Sequence, residues 1–237
     1  MQSQLHRLGL PYEFFDAVHG AQTPDHYLFR KYNDKKRASL RGAGASLRLP
    51  QLGCFASHYL LWEECVRVGR PIMVLEDDAI LLPGFMDFYR HAADFTGFHG
   101  LIWMQPSRKA PNQTGRPLRK IGPFTVKKFA KGFSGCTGYL ITPAAARSLL
   151  DYAQEWLYPV DITMDRFYDH KVEAIGIDPV CVMQDDDLES SINVADTGRR
   201  RGLGERLRRE YANLKDGLRR VAHNLVFAAK LKLGRQD

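Results

Sequence analysis

The 237-residue chain has few cysteines: Cys54, Cys65, Cys136 and Cys181, with no CxxC pair among them. That scarcity excludes a disulfide framework and a cysteine-built zinc site, and it suits reduced thiols in a cytosolic compartment. Also lacking is any run of about 18 uncharged apolar residues that could span a bilayer. The opening MQSQLHRLGLP has no apolar stretch of the kind a secretory signal needs, and no internal repeat is present. These absences point to a soluble, intracellular protein, and the length suffices for one α/β domain with a substantial core.

Charge imbalance is missing from most of the chain as well. Residues 1–198 carry 22 Lys/Arg against 23 Asp/Glu, which argues against a nucleic-acid partner. Residues 199–237 carry 12 against 4, so the excess basicity belongs to the tail, and the chain divides into a body, 1–198, and a basic tail, 199–237. In the tail, Leu207, Tyr211, Leu214, Leu218, Val221 and Leu225 recur at alternating steps of four and three. That spacing makes an apolar seam on a helix otherwise rich in Arg and Lys. Such a basic amphipathic helix can lie in the headgroup region of an anionic membrane. It could equally pack on the body or pair with a second copy in a homodimer.

What the body does contain is an alternation of helical and strand patterns, the mark of an α/β fold. YEFFDAV at 12–18 reads as a strand, and the polar segment 21–48 as a long loop with short helical pieces. GCFASHYLLWEECVRV at 53–68 shows helical spacing, with Cys54, His58, Trp62 and Val66 on one face, and Gly69-Arg70-Pro71 stops it. A strand then starts at Pro71. FMDFYRHAADF is a helix and GLIWM a buried strand; residues 105–120, with three prolines, suggest a mobile loop, and FTVKKFAKGFSG a hairpin. Pro143 sits at a helix start with Thr142 as N-cap, that helix running on through AAARSLLDYAQEWL. A strand near 172–183 closes the body.

Within this pattern IMVLEDDAILLPGFM is anomalous, because Glu76, Asp77 and Asp78 interrupt an apolar run. Carboxylates in an apolar setting cost several kcal/mol unless compensated. A divalent cation is one compensation, and oxygen ligands suit Mg2+ or Mn2+ completed by phosphates and water. The end of a strand is where ligands gather in such sheets. An acidic turn with solvated side chains is the alternative.

Six ordered pieces, FFDAVHG (14–20), GCFASHYLLW (53–62), MVLEDDAIL (73–81), GCTGYLITPAAARSLL (135–150), YPVDITM (158–164) and MQDDDLESSI (183–192), resemble glycosyltransferase family 25. That family includes bacterial lipooligosaccharide galactosyltransferases and collagen galactosyltransferases. The resemblance implies a GT-A-like, Rossmann-type nucleotide-sugar domain over about residues 5–195, in which EDD plays the part of a DxD motif. By that analogy Asp78 and Glu76 hold Mn2+ (or Mg2+) bridging the diphosphate of a UDP-sugar, with Asp77 beside them. Ala17, Val18 and Gly20, and Ser57 and His58, fall in the nucleotide-sugar site, although His58 could instead be a core histidine bonded to a backbone carbonyl. Gly138 and Tyr139 fall beside the sugar or acceptor, or serve a tight turn. Gln184, Asp185, Ser190 and Ser191 form a closing segment, in which Asp185 or Asp186 could add a metal ligand or simply stand in a solvated acidic loop.

Family members invert the anomeric centre, which implies a carboxylate base, here Asp161; a helix N-cap explains that residue equally well. The pattern departs from the family in two places. Met1 falls inside the first helix, after the position of the family's usual first strand, and His19 stands where the family has Asp.

These features imply a galactosyltransferase that takes UDP-galactose as donor and a saccharide or lipid-linked saccharide as acceptor, in lipopolysaccharide or lipooligosaccharide assembly, cytoplasmic and peripheral at the inner-membrane face. Two other readings use the same residues. One is an inactive family member acting as a membrane-associated scaffold; the other is a metal-dependent phosphodiester hydrolase, which would want further His and Asp ligands at separate strand ends.

Overall fold

The computed structural model describes residues 1–42, 45–110, 112, 114–185 and 202–234. In chain order the elements are α1 (Gln2–Arg7), a 3-10 turn (Tyr27–Lys31), α2 (Asp34–Arg41), α3 (Leu49–Val68), β1 (Ile72–Leu75), β2 (Ala79–Leu81), α4 (Phe85–Arg90), α5 (Ala92–Thr96), β3 (Leu101–Trp103), β4 (Arg116–Ile121), β5 (Phe124–Lys128), β6 (Gly138–Ile141), α6 (Pro143–Tyr152), α7 (Val160–Met164), α8 (Phe167–His170), β7 (Ile175–Asp178), β8 (Val182–Gln184) and α9 (Leu203–Lys232). Six strands form one sheet in the order β1-β6-β3-β7-β5-β4, and β2 pairs with β8 apart from it. The sheet is mixed: β3 and β7 run parallel, and its other neighbours are antiparallel.

Alternation along the central strands sends side chains to two cores. Leu101 and Trp103 of β3 and Tyr139 and Ile141 of β6 face a core built with α3, α6, α7 and α8, where Phe55, Trp62, Leu149 and Phe167 are buried. Ile102 and Leu140, one residue out of step, face the second core with Phe85, Phe88 and Phe95 of α4 and α5. The sheet is thereby covered on both faces, as a strand set this apolar requires.

Helix α3 is fixed at both ends by local chemistry. The Gln51 side-chain oxygen Oε1 accepts from the Arg48 N–H at 3.0 Å, and Gly69 closes the helix in the left-handed conformation at φ +67°. Thr142 caps α6, as its sequence position indicates, by accepting from the Ala145 N–H; the helix ends at Tyr152, five residues before the pattern stops.

Four expectations are corrected. Residues 12–18 belong to no strand or helix, and Phe14 and Phe15 are exposed. Their aromatic content suits a strand, but they pair with no strand among the described residues. The hairpin is formed by β4 and β5 about a Gly122-Pro123 turn, so FTVKK is its second arm rather than its first. Part of the 105–120 segment is therefore β4. The start of the segment is tethered: the Ser107 hydroxyl donates to Gly132 O at 2.6 Å and the Gln105 amide to Ser134 O at 3.1 Å. Finally, the closing strand is two strands, β7 and β8, interrupted at Pro179, which has no N–H to give a ladder.

Helix α9 lies against the body through α2 and α8, and no helix among the described residues is long and apolar enough to cross a membrane.

Candidate functional site

Strand pairing is what gathers the acids. β1 and β6 are antiparallel with Leu75 opposite Gly138 and Val74 opposite Tyr139, so the chain leaves β1 beside the loop that enters β6. The Glu76 N–H donates to Thr137 O at 3.0 Å there. Glu76, Asp77 and Asp78 then form a turn, closed by Ala79 N–H to Glu76 O at 3.2 Å. On the far side β2 pairs with β8, Ala79 opposite Gln184. The Gln184 amide donates to Asp78 Oδ2 at 2.9 Å, and the Asp185 N–H donates to Asp78 O at 2.9 Å. The acids therefore sit between the segment leading into β6 and the one leaving β8. Asp186, Ser190 and Ser191 lie outside the described residues.

Asp78 is strained electrostatically. Burial, then the neighbouring Glu76 and Asp77 charges, push its carboxyl above the usual carboxylate range, against the Gln184 hydrogen bond that pulls it down. Its Oδ1 is buried and has no hydrogen-bond partner among the described residues. A buried, unpartnered carboxylate oxygen beside two further carboxylates fits a divalent cation, which supplies the missing positive partner and prefers such oxygen donors.

Helix α3 delivers His58 to the same turn. Its Nδ1 lies 2.9 Å from the Tyr139 hydroxyl and its Nε2 lies 3.3 Å from Glu76 Oε1. Burial alone disfavours the imidazolium, yet Tyr139, Cys54 and Glu76 outweigh it and hold the pKa well above 6.5. His58 is thus a buried histidine whose partners are side chains of the site rather than a backbone carbonyl. Trp62, one turn further along α3, donates to the same Tyr139 hydroxyl at 3.2 Å. Ligand atoms of Cys54, His58 and Glu76 also lie within 4.8 Å of one another. Both ring nitrogens of His58 are already engaged there, one by Tyr139 and the other by Glu76.

The FFDAVHG piece meets α3 by close backbone approach. The Val18 N–H donates to Ser57 Oγ at 2.9 Å, and that hydroxyl donates to Gly53 O at 2.9 Å. A Cβ on Gly20 would stand 1.8 Å from Leu49 O, and one on Gly53 would stand 2.4 Å from Val18 O. Both glycines are therefore required by the contact itself. Val18 is thus bonded to Ser57 and Gly20 lies against Leu49 and Gly53; Ala17, just before them, is exposed.

Asp161 occupies the first turn of α7, whose N-cap is Pro159, so the capping explanation does not hold. Its Oδ2 accepts from the Ser134 hydroxyl and the Gly135 N–H, each at 3.3 Å. The loop that offers those donors has Gly132, Ser134 and Gly135 all at positive φ. It is shaped by Asp165, which accepts from the Phe133 N–H at 2.6 Å and the Ser134 N–H at 3.0 Å and pairs with Lys109. Cys136 on this loop has its thiol pushed up by burial, then by the Glu76 and Asp161 charges. Glu76 and Asp161 thus flank one short segment. A cavity of about 290 Å³ opens beside α7 and α9, with Lys109, Asp165, Arg166 and Arg220 in its wall.

Three contributors were not visible in the sequence. Gln105 accepts from the Gly138 N–H at 2.9 Å and donates to Ser134 O, bracing the loop that joins the two carboxylate regions. Asp165 shapes that loop from α7's end. Arg108 donates to the Gln184 side chain, which places a guanidinium next to the Asp78 partner. Arg108-Lys109 within a polar, proline-rich stretch was the available signal.

The chain as a whole is similar to known proteins. A family model described as Glycosyltransferase family 25 (LPS biosynthesis protein) matches residues 1–164. A Haemophilus influenzae protein named as a candidate glycosyltransferase is 26% identical, over 87% of this chain and 76% of its own length. A "Glycosyltransferase 25 family member" of Anopheles gambiae is 31% identical over 69% of this chain but only 28% of its own. The "Lipooligosaccharide biosynthesis protein lex-1" of Haemophilus influenzae is 25% identical over 76% of this chain and 64% of its own. The chain therefore spans about a quarter to three-quarters of these relatives.

Proposed function

Because the chain belongs to glycosyltransferase family 25, we propose that it is a metal-dependent, inverting glycosyltransferase of the GT-A type. It moves galactose from UDP-galactose to a saccharide acceptor in lipopolysaccharide or lipooligosaccharide assembly. The observation that carries this reading is the buried, unpartnered Oδ1 of Asp78 in a turn of three consecutive acids.

Asp78 and Glu76 would hold Mn2+ or Mg2+, with Asp77 beside them. A cation there would neutralise the charge that develops on the departing diphosphate. Gln184 orients Asp78 through its 2.9 Å hydrogen bond, and Arg108 adds positive charge on the same side. His58 and Tyr139 fix Glu76 from beneath, and the backbone around Val18, Gly20 and Ser57 forms the neighbouring wall of the nucleotide site. Asp161 takes the proton from the acceptor hydroxyl. The Ser134 and Gly135 donors hold its Oδ2, which fixes the plane of the carboxylate for that transfer.

The test is UDP release from a panel of UDP-sugars with Mn2+ and with a chelator. Metal-dependent release, fastest with UDP-galactose, supports the reading. Release from none of the donors, or release that chelation leaves unchanged, removes it.

A further inference from the structure

Helix α9 meets the body with its polar side. Asp216 accepts from Arg166 Nη1 and Nη2 at 2.7 and 2.8 Å and from Arg41 at 3.4 Å. Arg219 pairs with Asp169, His223 lies 2.6 Å from Glu173, and the Asn224 amide donates to Ala130 O at 3.0 Å. Arg166 is itself buried, so this is a clasp made partly inside the protein.

The helical period then turns the opposite face outward. Leu207, Tyr211, Leu214, Leu218, Val221 and Leu225 are each 57–70% exposed. A surface helix ordinarily buries its apolar stripe against the core and shows its charges to water; here the arrangement is reversed. A continuous outward row of large apolar side chains marks a surface made for another phase or partner.

Charge selects between occupants. Arg206, Arg208 and Lys215 are exposed on this helix, with Lys230 and Lys232 at its C-terminal end, while Asp216 is spent on the clasp. In a paired helix the positions flanking the seam would alternate in sign to meet a second copy. Here they read Arg208 and Lys215 on one side and Glu210, Gly217 and Asn224 on the other. Two copies gain little from that set, whereas an anionic surface neutralises the cations while the seam enters the acyl boundary.

We propose that α9 is a lipid-docking helix: its apolar seam lies in an anionic membrane surface, and the Asp216 clasp holds the body at a fixed orientation above it. This docking stands on the α9 geometry alone and is independent of whether the chain transfers sugar.

The test is flotation of the full chain with vesicles of phosphatidylcholine alone and of phosphatidylcholine with phosphatidylglycerol, at low and high salt. The expected result is binding to the anionic vesicles, weakened by salt. The double substitution Leu214→Ser/Leu218→Ser should weaken it at least about tenfold, since it removes two inserted side chains at exposed positions. Arg206→Glu/Arg208→Glu should weaken binding to anionic vesicles without changing helicity. Light scattering should give a monomer in solution. No binding at low salt, binding that both double substitutions leave unchanged, or a dimer that Leu214→Ser/Leu218→Ser dissolves would each overturn the proposal, the last by assigning the seam to a second copy.

Discussion

The hydroxyl of Tyr139 stands 2.9 Å from Nδ1 of His58, and the other ring nitrogen of His58 reaches Glu76. One strand, one helix and the acidic turn are therefore joined through a single buried imidazole. Tyr139→Phe keeps the ring packing and removes the hydroxyl, leaving His58 Nδ1 and the Trp62 N–H without their partner. Urea denaturation should show a loss of about 1–3 kcal/mol, the cost of leaving buried polar groups unpaired. A loss near zero would mean that the hydroxyl holds nothing together.

Asp161 and Asp165 lie one helical turn apart and should behave oppositely. Asp165 is buried, accepts two backbone N–H groups and pairs with Lys109. Asp165→Ala should cost about 3 kcal/mol or more in stability, because it strands a cation and two donors. Asp161→Asn keeps the shape and a polar group facing Ser134, so thermal stability should stay nearly unchanged. Sugar transfer should fall about 10²–10⁴-fold if Asp161 is the base. Thermal melts and turnover, measured on both variants, separate a carboxylate that shapes the loop from one that moves a proton.

Acid should unfold the protein partly through His170. The Val172 N–H donates to its Nδ1 at 3.1 Å and its Nε2 lies 3.1 Å from Met164 O, so the neutral Nε2–H form satisfies both. Burial pulls its pKa down to about 4 from 6.5. The folded state thus takes up this proton less readily than the unfolded chain. The stability that a neutral His170 contributes is complete above pH 6.5 and is lost as pH falls from 6.5 toward 4. The loss is about 2–3 kcal/mol across that window. His99, also held down to about 4 by burial, adds in the same direction. Denaturation midpoints at pH 7 and pH 5 should differ less in His170→Gln than in the native chain.

What the sequence made legible was local. Helix α3, its Gly69 stop, the Thr142-Pro143 start of α6 and the strand before the acids all follow from capping residues and apolar spacing within a few positions. Motif and strand end named residues that the fold brings into contact: His58 with Tyr139 and Glu76, and Asp78 with Gln184. Segments decided by distant partners were not legible. Residues 12–18 have strand composition, yet their fixed point is the Val18 bond to Ser57 on α3. Residues 105–110 look like an open loop, yet Gln105 and Ser107 are bonded to a loop some 25–30 residues later. Asp165 gives no sign in the sequence of the two N–H groups it gathers, since both are donated from another loop.

The most direct measurement is calorimetric titration of UDP into the native chain and into Asp78→Asn, each with and without Mn2+. Asp78→Asn removes the buried charge that Glu76 and Asp77 repel, so the variant should fold at least as stably as the native chain. The account expects UDP binding that requires Mn2+ in the native chain and is weakened at least about tenfold in the variant. UDP affinity that is the same with and without metal, or the same in both proteins, would contradict it.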